Sequence, residues 1–73
     1  MIHYQNDSNI DVIDLCKLYK LNFNKGNVLK YVCRSGKKRY DGLNPIQSEI
    51  KDLKKAIDYL EREINFLNND NIT

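Results

Sequence analysis

The sequence predicts an all-α fold: a small three-helix domain with a long, heptad-patterned C-terminal helix, assembling as a homo-oligomer. Three observations carry that expectation. Ile46, Ile50, Leu53, Ile57, Leu60, Ile64 and Leu67 recur at alternating steps of four and three, the spacing of a coiled-coil seam. Upstream, two shorter segments carry apolar residues at helical spacing behind good capping residues. Finally, 73 residues make one domain at most, whose core is marginal alone, so association between copies is the expected source of further burial.

The elements follow in order. Residues 1–9 form a polar N-terminal segment ending in the capping residues Asp7, Ser8 and Asn9. Helix one is expected at 10–20, with Asp11 and Asp14 early and Lys17 and Lys20 late, as the helix dipole favours. Leu21 to Lys25 reads as a connector, with Phe23 anchoring it in the core. Helix two is expected at 26–35, starting at the Gly26-Asn27 pair and stopping before Gly36. Val28, Leu29 and Val32 then face the core, and Asn27, Lys30, Arg34 and Lys37 share the opposite face. A basic loop follows. Helix three is expected at 45–68, with Asn44 as N-cap, Pro45 in the first turn and Gln47 three after the cap. Two helices of about ten residues are too short to cover about 36 Å of helix, so its far end is expected to pack on another copy. Residues 69–73 read as a loose tail.

Composition narrows the function classes. A hydrophobic fraction of 41% and a charged fraction of 30% fit an ordinary soluble helical domain. The apolar runs are too short to span a membrane, and Met1 leads into polar residues without a leader pattern, so a cytoplasmic protein is expected. Cys16 and Cys33 lie among apolar neighbours and are expected to be free thiols, with one disulfide as the alternative. There is no P-loop, no local triad spacing, and no carboxylate cluster of the two-metal kind. No cofactor is evident and no metal ligands are assigned. Net charge is only +2, but Asp14 and Asp41 bracket a window with no acidic residue that holds eight of the twelve lysines and arginines. That asymmetry points to an anionic partner.

The helix-two face suits a phosphate, with Arg34 offering two donors and Lys30 a point charge. The blander alternative is a solvated face with late cations on the helix dipole. On helix three, Asp52, Lys55 and Tyr59 form a polar line distinct from the heptad seam. Asp52 and Lys55 are either a surface ion pair of little worth or, with Tyr31 and Tyr59 stacking on a base, part of the same site. His3, the single histidine, is a surface residue or a phosphate neighbour.

Four stretches carry a resemblance. They are Asp11-Val12-Ile13-Asp14; Leu21-Asn22-Phe23; Gly26-Asn27 with Lys30-Tyr31, Arg34 and Gly36-Lys37-Lys38; and Asp52-Leu53 with Lys55-Ala56 and Tyr59-Leu60. Together they resemble a family of small phage proteins, long described as of unknown function, that includes a P-loop-free coliphage nucleotide kinase. The similarity spans roughly residues 3 to 64. His3-Tyr4 looks like the family's N-terminal His and Tyr, without the proline often found between them. The resemblance implies phage or prophage origin, hence host-cell cytoplasm, a helical fold, oligomers and nucleotide handling. The residues it marks for ligand binding are Asn27, Lys30, Tyr31, Arg34, Lys37, Lys38, Lys55, Tyr59, Asp52, His3 and Tyr4. Three functions stand open. The first is an oligomeric binding protein holding a nucleotide in a cationic inter-subunit pocket, of use to a phage for sequestering a host-defence signal. The second is a P-loop-free nucleoside monophosphate kinase, which needs Mg and ATP. The third is a nucleic-acid or protein interaction module, a weaker fit.

Overall fold

A computed structural model describes residues 11–72, with side chains described through residue 69. Among these residues it is all-helical: α1 (Val12–Leu18), α2 (Phe23–Arg34) and α3 (Pro45–Ile72). The expected 1–9 segment, with its caps, and the residues His3 and Tyr4 lie outside the described residues.

α1 is shorter than the expected 10–20 span, and both ends have local causes. Asp11 is its N-cap: the Asp11 carboxylate accepts from Asp14 N at 2.9 Å, and the Asp14 carboxylate accepts from Asp11 N at 3.2 Å. This is a reciprocal capping box. At the far end Lys20 N bonds to Lys17 O and Leu21 N to Cys16 O, the Schellman pattern. Lys20 holds the left-handed position at φ 54°. A lysine there gives no sequence signal, so the helix closes two residues early.

α2 begins three residues before the expected start. Asn22 caps it by accepting from Lys25 N at 2.9 Å, and an Asn cap outcompetes the Gly26-Asn27 pair. Phe23 is therefore the first helical residue. At 77% exposure it is not the expected core anchor. Gly26 falls inside the helix, where α1 crosses it: a Cβ at that position would stand 3.2 Å from Cys16 Sγ. Gly36 ends the helix as expected, at φ +85°.

Asn44 and Gln47 cap α3 reciprocally, at 2.7 and 3.0 Å. α3 runs to Ile72, past the expected 68. No Gly or Pro follows Pro45, so nothing stops propagation into the expected tail.

α2 packs along α3, and α1 packs on α2. The Cα trace measures 44 × 32 × 15 Å, a plate little thicker than one helix. A plate has almost no interior. Ala56 is the one buried hydrophobic residue among those described. Val28 and Leu29 are half-buried, while Val32 is 48% exposed.

The largest departure concerns which side of α3 faces inward. The seam residues remain exposed, from 39% at Leu53 to 70% at Ile46. The residues buried against the rest of the chain are Ser48, Asp52, Ala56 and Glu63. These small and polar side chains form a second helical stripe. Ser48 and Ala56 let the neighbouring chain approach closely, and Glu63 tethers the start of α2 by accepting from Asn22 at 2.9 Å and Asn24 at 3.2 Å.

Candidate functional site

The cationic window folds around two tyrosine rings. Tyr31, on α2, has Arg34, Lys30 and Lys55 at 4.6, 4.7 and 5.3 Å from its ring centre. Tyr40, in the loop before α3, has Lys51, Lys38, Lys55 and Arg34 at 4.5, 4.7, 4.9 and 5.8 Å. All lie within the range of cation–π attraction. Helical spacing puts Lys30 and Arg34 on one side of α2, and Lys51 and Lys55 on the facing side of α3. The loop is held in place because Tyr40 N donates to Ser48 Oγ at 3.0 Å.

Beneath the cations lies one buried anion. Arg34 Nη2 donates to Asp52 Oδ1 at 2.8 Å and to the Tyr40 hydroxyl oxygen at 2.6 Å. The Tyr40 hydroxyl donates to Asp52 Oδ1 at 2.6 Å, and Lys55 Nζ donates to the Tyr40 oxygen at 3.2 Å. The Arg34 and Asp52 side chains are 6% and 0% exposed. Burial disfavours both charges. For Asp52, hydrogen bonds from Arg34 and Tyr40 and the charges of Arg34 and Lys55 outweigh it, holding the carboxyl below its usual range. For Arg34, the Asp52 bond and charge outweigh burial and raise its pKa. Two atoms of the pair, Arg34 Nε and Asp52 Oδ2, are buried without a hydrogen-bond partner, an uncommon and costly condition.

Two expectations need correction here. Asp52 and Lys55 are not a surface ion pair, since Asp52 is fully buried and its partner is Arg34. Nor is Arg34 a free two-donor grip for a phosphate, because Nη2 is committed to Asp52 and Tyr40. Both follow from α2 lying on the polar stripe of α3.

The remaining candidates fall into groups. Tyr59 stacks on Tyr31 with centroids 5.8 Å apart and takes the edge of Phe23 at 6.2 Å. The aromatic strip therefore runs Phe23–Tyr59–Tyr31 beside the cations. Asn27 donates back to Phe23 O and, with Lys30, lines a cleft of about 300 Å³ beside α1. Lys37 donates to Cys33 O, capping the end of α2. Cys16 and Cys33 are free thiols.

Tyr40, Lys51 and Ser48 belong to the cluster but were not expected in it. Tyr40 lies in a loop, where periodicity carries no information. Lys51 and Ser48 were legible in principle: Ser48, Asp52, Lys55 and Tyr59 recur at steps of four, three and four, with Lys51 one turn before Lys55.

Lys30, Arg34, Lys38, Lys51 and Lys55 around one buried carboxylate leave the cluster strongly positive. Their mutual repulsion is relieved by the tyrosine faces and by Asp52, and an anion docking above them would relieve it further. Asp52 is held from two sides, by Arg34 and by the Tyr40 hydroxyl. Among the described residues, no three His, Cys, Asp or Glu side chains come together as a metal site. No helix of the described residues is long and apolar enough to cross a membrane.

No curated protein and no solved structure matches the chain. One protein family does, over residues 2–61, a span that includes every residue of the cation and tyrosine cluster. The chain belongs to that family, DUF3310, which is described as of unknown function.

Proposed function

We propose that this protein binds a phosphorylated small molecule, a nucleotide, on the cationic tyrosine face between α2 and α3, as an oligomer in which a second copy helps close the site. The observation that carries the reading is the convergence of Lys30, Arg34, Lys38, Lys51 and Lys55 on the rings of Tyr31 and Tyr40, over a single buried carboxylate. Lysines 38 and 51 are exposed and suit the outer phosphates. Lys30 and Lys55 lie deeper, at the Tyr31 ring. The Phe23 and Tyr59 end of the strip offers an apolar, aromatic surface for a base. Arg34 and Asp52 act as positioning residues, holding Tyr40 and α2 in register. In a phage-encoded protein such binding would remove a nucleotide from the host pool.

The test is calorimetric titration with ATP, a deoxynucleoside monophosphate and inorganic pyrophosphate. Saturable binding of a nucleotide, weakened tenfold or more by Lys38→Gln with Lys51→Gln at unchanged helicity, is the expected result. Absence of binding by all three, or binding only to long oligonucleotides with a steep salt dependence, overturns it. Incubation with ATP, magnesium and the monophosphate separates binding from phosphoryl transfer: diphosphate formation would make the protein a kinase.

A further inference from the structure

The α3 seam is a second feature, on a side of the helix that α2 leaves uncovered. In heptad register Ile50, Ile57 and Ile64 occupy the a positions, and Ile46, Leu53, Leu60 and Leu67 the d positions. All seven are exposed, at 39–70%, because α2 lies on the stripe of Ser48, Asp52, Ala56 and Glu63. The seam extends over about 30 Å of helix. An apolar band of that length, on a chain with one buried hydrophobic residue among those described, marks an interaction surface.

We infer that the occupant is a second copy of this chain, joined through α3 as a parallel, in-register, two-stranded coiled coil. Residue type selects the geometry. A β-branched residue at every a position, with leucine at three of four d positions, favours two parallel strands. Such a seam is self-complementary about a two-fold axis. The flanking positions agree. In the parallel register each g position faces the following e position of the other strand. Glu49 then meets the partner's Lys54, while the later g positions, Ala56 and Glu63, are covered by α2 and set no like charge against the partner's Glu61 and the partner's Asn68. The exposed seam amounts to about 600 Å² per copy, or about 1,200 Å² in all, at the lower bound of specific interfaces. Because Ala56 and Glu63, under α2, are g positions like Glu49, the partner's Lys54 arrives on the α2 side of each α3, adding one more cation there.

The experiment is the mass of the full chain by light scattering without ligand, together with two variants. Wild type is expected at twice 8.6 kDa. Leu60→Lys is expected to halve that mass while keeping its helical circular dichroism. Ile46→Cys, at the most exposed seam position, is expected to form covalent pairs on mild oxidation while wild type, with Cys16 and Cys33 alone, does not. In an antiparallel pair the two introduced thiols would lie tens of ångströms apart and stay unlinked. A monomeric wild type, an odd number of copies, or an assembly in which Ile46→Cys fails to crosslink overturns the inference. Should Leu60→Lys not fold, the Ile46→Cys result decides alone. Nucleotide titration of the dimer then reports on the ligand reading separately, since the mass is measured without ligand.

Discussion

The two sides of α3 reverse the ordinary expectation for an amphipathic helix. One carries seven aliphatic residues and stays open to solvent; the other carries Ser48, Asp52 and Glu63 and is buried. Side-chain spacing decides that a helix carries an apolar stripe, but not which of its sides another element of the chain packs against. α2 is short and cationic. It finds on the polar stripe of α3 a carboxylate for Arg34 and a second for Asn22 and Asn24. Among the described residues the aliphatic stripe has no element packed against it.

The largest effect is expected at the buried pair. Asp52→Ala or Arg34→Ala is expected to cost about 3–5 kcal/mol, because each leaves an uncompensated buried charge. Urea unfolding at neutral pH measures it. Replacing both, as Arg34→Met with Asp52→Leu, is expected to recover most of that loss, since an apolar pair of similar volume is often as stable as a buried ion pair. A double variant as unstable as the singles would mean the pair's geometry, rather than its charge balance, holds α2.

Acid probes the same face more gently. Asp52 and Glu63 both titrate below their ordinary values: Asp52 because Arg34 and Tyr40 outweigh its burial, Glu63 because of the Asn22 and Asn24 amides. A carboxyl whose folded pKa is depressed contributes stability above its unfolded pKa and loses it as pH falls through the folded one. The thermal midpoint is therefore expected to be flat from about pH 7 to 5 and to fall below about pH 4. Glu63→Gln should shallow that fall. An unchanged slope would show that Glu63 takes no part in it.

The smallest effect sharpens the contrast within one helix. Arg62 and Asp58 form an i,i+4 ion pair at 3.2 Å, with side chains 63% and 55% exposed. Arg62→Ala is expected to change stability by less than about 1 kcal/mol, against several for Arg34→Ala. A comparable loss would place the outer face of α3 inside an interface.

How much was legible depends on how local each signal is. The Asn44 and Gln47 cap, the Gly36 stop and the three-four recurrence of the seam act between residues a few positions apart, and each was readable in the chain. So was the coincidence of Lys30, Tyr31 and Arg34 on one turn of α2. The start of α2 was misplaced because two capping candidates four residues apart compete, and Asn22 wins with a Glu63 that lies forty-one residues away. Tyr40 was invisible because a loop residue has no period.

By itself, then, the sequence determined three helices, the continuity of α3, an apolar seam along it and a concentration of positive charge, since all of these follow from local hydrogen bonding and side-chain spacing. The tertiary structure alone decided that the polar stripe turns inward, that Arg34 and Asp52 form a buried pair, and that Tyr40 returns to complete the cation cluster. The physical reason is that burial is a relation between distant segments, fixed only when α2 comes to rest against one side of α3 and leaves the other free.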